Sequence, residues 1–103
     1  MKKTAAEIEI RRYGSEASRH AHDHHQLVLP LAGALEMEID GRGDRVEGLR
    51  AAAIPGGEQH SFLGSDENAF LIIDLPSSGL GGSSRLPLIG RQRFWEAAGI
   101  RPS

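Results

Sequence analysis

Cysteine is absent from this chain of 103 residues, which excludes disulfides and thiolate metal sites and leaves the redox compartment open. Long hydrophobic runs are absent too: the longest apolar stretch, around Leu27 to Leu35, is far too short to span a bilayer. The start, MKKTAAEIEIRRYG, has two lysines but no apolar segment behind them, so no signal peptide is expected. An excess of positive charge is also missing. Lys and Arg number 12 against 14 Asp and Glu, a formal net charge of -2, so no global basic field is present to hold nucleic acid. Arg85, Arg91, Arg93 and Arg101 make only the tail locally basic. No repeat at solenoid spacing occurs. These absences leave a single cytoplasmic domain, with no membrane partner and no direct nucleic-acid contact, as the expectation.

What is present reads with a period of two. Glu7-Ile8-Glu9-Ile10-Arg11 alternates polar and apolar, as a half-buried strand does. Gln26 to Ala32 is apolar on both faces, Gly33 breaks it, and Ala34 to Asp40 resumes alternation with Leu35, Met37 and Ile39 on one face. Turns are expected at Asp40-Gly41, Glu47-Gly48 and Pro55-Gly56-Gly57, and further strands ending at Ile54, over Gln59 to Leu63 and over Ala69 to Leu75. Short strands separated by frequent turns predict an all-β barrel or sandwich. Composition changes at Pro76. Residues 1–76 read as the barrel, 77–85 as a Gly/Ser linker, and 86–103 as a tail with a short helix from about Gln92 to Ala98, stopped by Gly99. The two-faced apolar run over Gln26 to Ala32 needs cover, from the N-terminal strand and tail or from a second subunit, and a homodimer is predicted.

Four of the five histidines fall in HAHDHHQ, residues 20–26. Spacing sorts them. Gly14, five residues, His20-x-His22, three residues, Gln26, six residues and Gly33 form one ordered series. Pro55-x-Gly57, two residues and His60 form a second, about one hairpin away.

Together these series resemble the two motifs of the cupin superfamily, over roughly residues 7 to 75. That resemblance implies a small cupin barrel, a double-stranded β-helix, in which His20, His22 and His60 face one divalent transition metal: zinc, nickel, iron or manganese. Gln26 stands where the family has glutamate, and Gly64 where it has asparagine, while Gly48 lies one residue too far upstream. A carbonyl oxygen from Gln26 can serve as a weak fourth ligand, but without a carboxylate's charge. Alternate residues of a strand share a face, so His20 and His22 can converge on one ion, and open positions would remain for water or substrate. A site of two histidines and one carboxylate cannot be built from the motif positions alone. Asp23, His24 and His25 fall in the loop after the His-x-His strand and read as mouth or surface residues. Replacing His24 is therefore expected to spare metal binding, replacing His20 or His60 to abolish it, and Gln26→Glu to tighten it.

Within the superfamily, HAHDHHQLVLPLAGALEMEIDGRGDRVEG, AAAIPGGEQHSF and ENAFLIIDLP look like the N-terminal domain of AraC-type transcription regulators. The HDHHQ loop, the PLAG-x-LE strand pair, the DGRG turn and the GE-x-H-x-F segment carry that likeness. It implies a sensing and dimerising module that takes a small-molecule ligand, here without the helix-turn-helix units that bind DNA. The alternative is a small metal-dependent cupin enzyme of dioxygenase, isomerase or decarboxylase type. The missing carboxylate at position 26 and the lack of a general base among the barrel-facing positions weigh toward binding.

Overall fold

Residues 34–39 show how the sequence builds this domain. Ala34, Leu35, Met37 and Ile39 are buried while Glu36 and Glu38 are exposed, so one strand covers the core with alternate side chains and turns its carboxylates to water. The computed structural model describes residues 5–14, 18–76 and 93–96, leaving aside the side chain of Ser18. The proposed linker over 77–85, and the tail apart from 93–96, lie outside the described residues.

Nine strands are described: β1 (Glu7–Arg11), β2 (Ser18–His20), β3 (His25–Ala32), β4 (Ala34–Ile39), β5 (Arg42–Glu47), β6 (Arg50–Ile54), β7 (His60–Gly64), β8 (Ala69–Leu75) and β9 (Phe94–Glu96). They form two antiparallel sheets, ordered β1-β8-β3-β6-β9 and β2-β7-β4-β5. Consecutive strands alternate between sheets over much of the chain, which is the wiring of a jelly roll. The all-β expectation holds, and most strands lie within a residue or two of where the alternation puts them.

The core lies between the sheets. Val28, Ala52, Ile54, Phe70, Ile72 and Phe94 of the first sheet meet Leu35, Met37, Ile39 and Val46 of the second, with Tyr13 and Phe62 packed against them. Arg50 Nε donates to Asp44 Oδ2 at 2.9 Å, tying β6 to β5. Gly33 has to be glycine: its φ is +72°, and a Cβ there would sit 2.1 Å from the Glu67 carbonyl oxygen. Gly64 is needed for close approach instead, because a Cβ would lie 2.8 Å from the Tyr13 carbonyl oxygen. Buried Asn68 completes that junction, accepting from Tyr13 N at 2.8 Å and donating to Tyr13 O at 2.9 Å.

Two expectations are corrected. The helix predicted from about Gln92 to Ala98 is replaced, over Phe94–Glu96, by strand β9 on the edge of β6. Two turns of helix are marginal alone. The strand satisfies open backbone groups of β6, with Ala53 N donating to Arg93 O at 2.7 Å. It also buries Phe94, the register partner of Ala52, to 8% exposure, and Arg93 grips Glu58 through two hydrogen bonds of 2.8 and 2.7 Å. Second, His25 is not a loop residue: it opens β3 and is fully buried. Among the described residues no helix is long and apolar enough to cross a membrane.

Candidate functional site

The sandwich interior changes character at one end. In the first sheet, Gln26 of β3 is the register partner of Asp74 of β8, and both are buried among otherwise apolar neighbours. In the second sheet, His60 of β7 pairs with His20 of β2 on one side and Ile39 of β4 on the other. The chain between β2 and β3 runs past this end and brings His22 and His24 to it. His22 lies beyond the end of β2, so its convergence with His20 does not come from strand alternation. It comes from a staple: Gly57 N donates to the His22 carbonyl at 2.6 Å, and Gly56 N donates to His25 Nδ1 at 2.9 Å. Gly56 packs so closely that a Cβ would stand 3.2 Å from the Asp23 carbonyl. The Pro-Gly-Gly turn of the second motif thus positions the histidines of the first.

Three of the residues expected at a metal come together. Ring centres lie 5.1 Å apart for His22 and His60, 6.0 Å for His20 and His22, and 6.1 Å for His20 and His60. Phe62 stacks on His20 at 5.4 Å and is braced edge-on by Tyr13 at 4.5 Å. Gln26 stands apart from this group in its bonding, since its Nε2 donates to Asp74 Oδ1 at 2.8 Å. His25 faces the other way: β3 alternation puts it on the opposite side from Gln26, and its Nδ1 is taken by Gly56.

His24 and Asp74 are the residues that the motifs miss. His24 is half-buried rather than at the surface, stacks on His22 at 5.0 Å, and brings Nε2 to 3.3 Å from Asp74 Oδ1. That contact lacks hydrogen-bond geometry, because His24 Nε2 has no hydrogen-bond partner although it is buried. Asp74 did leave a trace in the sequence. It shares the parity of Phe70 and Ile72 in AFLIIDL, and a charge at a core-facing position is a costly choice that calls for a purpose.

Electrostatics keeps much of this cluster uncharged at neutral pH. Burial pushes the His60 imidazole down to about 4, helped by the neighbouring His22 and opposed by the Glu58 carbonyl. Burial first, then His24 and His20, lowers His22, with Asp74 pulling the other way. Burial and His24 lower His25. Neutral imidazole is the form that binds metals.

Imidazole is a donor of the kind a divalent transition metal takes, and His25 Nε2 and His60 Nδ1 join His24 Nε2 as buried nitrogens with no hydrogen-bond partner. The spacing is wider than a bound ion requires. With metal–nitrogen bonds of about 2.1 Å, imidazole centres around one ion lie roughly 4.6–5.3 Å apart. Among the described residues no three His, Asp or Glu side chains converge to ligating distance as they stand. His22 with His24 and His22 with His60 already have the required separation, and His20 stands about 1 Å too far out. A cleft of about 410 Å³ lined by Arg19, Glu38, Asp40, Glu58 and His60 opens beside the cluster.

Fold and site together define a jelly roll with a polar, histidine-rich end. Comparison with protein families and with curated proteins finds no match. Among solved structures the chain is similar to a conserved protein of unknown function from Streptococcus pyogenes. The TM-score is 0.61 at 20% identity, over 73% of this chain and 68% of that one. At that identity the likeness concerns the fold alone.

Proposed function

We propose that this chain is a metal-binding cupin domain that acts as a small-molecule-sensing and dimerising module, similar to the N-terminal domains of AraC-type regulators. The observation that carries the reading is the meeting of exposed His20, half-buried His22 and buried His60 at one end of the sandwich, with burial holding the last two toward the neutral form. The imidazoles would hold one divalent ion, which would supply a Lewis-acidic anchor for an oxygen-bearing ligand. Elemental analysis of tag-free protein tests this reading directly. About one divalent metal per chain is expected, lost in His60→Ala, and a metal-free preparation that cannot be loaded overturns it.

A second subunit is part of the proposal. Register puts Ile8 and Ile10 of β1 on the face of the first sheet that points away from the core, beside Ile73 and Leu71 of β8. Leu27 and Leu29 of β3 continue that apolar row. Ile8 and Ile10 are 66% and 57% exposed, so this face gains by being covered. The enzymatic alternative has one observation in its favour. Buried Asp74, 3.3 Å from His24, is the barrel-facing carboxylate whose absence from the motif positions argued against catalysis.

A further inference from the structure

β1 ends the first sheet, and among the described residues no strand pairs with its outer edge. Its sequence, EIEIR, holds no lysine or proline, the residues that most often guard an open edge. Two rungs cross the outward face of this sheet, Ile8-Ile73-Leu27-Ala53 and Ile10-Leu71-Leu29, and neither carries a polar side chain. Exposure climbs along the first of them, from fully buried Ala53 through half-buried Leu27 and Ile73 to Ile8 at 66%. The uncovered part of the face therefore lies at the β1 edge. The outward face of the second sheet is built differently. Glu36, Glu38 and Arg45 are exposed there, and Arg45 Nη1 lies 3.3 Å from Glu36 Oε1.

Set antiparallel to itself, β1 is complementary in charge and in apolar surface. A two-fold axis through Glu9 puts Glu7 opposite the partner's Arg11 and Ile8 opposite the partner's Ile10, each twice by symmetry. Glu9 meets the partner's Glu9 at the axis, where each acid is offset by the ion pair it makes with Arg11 of its own strand. We infer that two copies of this chain join β1 to β1 in this register, so that their first sheets run on as one. The two edges then supply each other's backbone hydrogen bonds, and the exposed isoleucines of both copies merge into one apolar stripe. The inference rests on the second subunit of the reading above and gives it an edge-to-edge geometry. It needs nothing bound among the histidines.

The chain has no cysteine, so a single one introduced into the full chain reports only its own counterpart. Glu9→Cys should give a disulfide-linked dimer under mild oxidation. Opposed residues of an antiparallel pair have Cα atoms about 4.5–5.5 Å apart, within reach of a disulfide. Ile10→Cys has the partner's Ile10 only on the diagonal, roughly 7–8 Å away, and should crosslink about tenfold more slowly or less. Arg11→Glu sets acids opposite each other twice and should weaken the dimer roughly tenfold in sedimentation equilibrium, and Glu7→Arg combined with Arg11→Glu should restore it. A wild-type dimer whose Glu9→Cys variant crosslinks no faster than Ile10→Cys, or that Arg11→Glu leaves at full strength, overturns the inference while leaving the second subunit in place. A wild-type chain that is monomeric at micromolar concentration overturns both, and leaves this edge to another part of the chain or to a different protein.

Discussion

Gln26 and Asp74 occupy the same rung of the first sheet, β3 against β8, and share a 2.8 Å hydrogen bond where the sandwich interior turns polar. On the second sheet, facing them, His60 pairs with His20. Each strand contributes one polar side chain at the depth where its neighbours contribute Ile54 or Ile39, so the polar end is built from single positions spread along the chain.

Gln26→Glu tests that rung in the metal-free protein. It sets two buried carboxylates side by side, and a loss on the order of 2–4 kcal/mol at pH 7 is expected from urea denaturation. One acid of the pair protonates as pH falls, so the penalty should shrink toward pH 4. A divalent ion between the two acids would offset the repulsion, so metal should raise Tm more in this variant than in the wild type. A metal-free variant as stable as the wild type would place the two side chains apart.

The histidines set an acid limit on the metal-free fold. His60 titrates at about 4 when folded, against 6.5 for the ordinary value. Between those pH values the unfolded chain binds more protons, so stability rises with pH. The contribution is complete above about pH 7 and is lost progressively down to about pH 4. Its size is roughly 2 kcal/mol, less than the full shift implies because half-buried His22 admits water beside the ring. His60→Phe should flatten this part of a stability–pH profile measured in EDTA, and an unchanged slope would contradict the burial argument.

Gly56→Ala should loosen the staple between the two motifs. The new methyl meets the Asp23 and His24 backbone at 3.2 to 3.3 Å, and backbone yields less readily than the end of a side chain. A cost of about 1–2 kcal/mol and a weaker metal affinity are expected. Gly43→Ala is the control: its Cβ has only an ordinary 3.6 Å contact, and its stability should stay within about 0.5 kcal/mol of the wild type.

Phe94→Ala distinguishes a docked strand from a loose tail. Phe94 belongs to the core cluster, so its truncation should cost about 3 kcal/mol. Amide exchange at Ala53, whose N–H is held by the Arg93 carbonyl, should accelerate in the same variant. Unchanged Tm and exchange would leave β9 without a structural role.

Ile8→Glu with Ile10→Glu addresses the outward face of the first sheet. The double variant should keep its fold, because these side chains point away from the core, and should halve the mass seen by light scattering at micromolar concentration. A wild-type chain already monomeric at that concentration defeats the dimer proposal.

Much of the fold was legible before the structure. The Leu35, Met37 and Ile39 alternation has only one way to face a core, and the glycines and Asp40-Gly41 mark where strands must end. The tail was misread because Phe94, Trp95 and Ala98 have helical spacing, while the edge of β6, which selects a strand, is contributed by residues more than 40 positions earlier. Backbone groups on an open sheet edge leave no local mark in the sequence that will pair with them.

By itself the sequence determined a small, cysteine-free, all-β domain, because alternation and turn residues are local signals, and its resemblance to the cupin motifs singled out His20, His22 and His60. Only the tertiary structure decided what surrounds them. Whether His24 turns inward, and which acid Gln26 faces, depends on the registry of β3 against β8, in which Gln26 and Asp74 meet across 48 positions of chain. Registry is set by how two sheets fill one core, a property of the whole domain that no local stretch encodes.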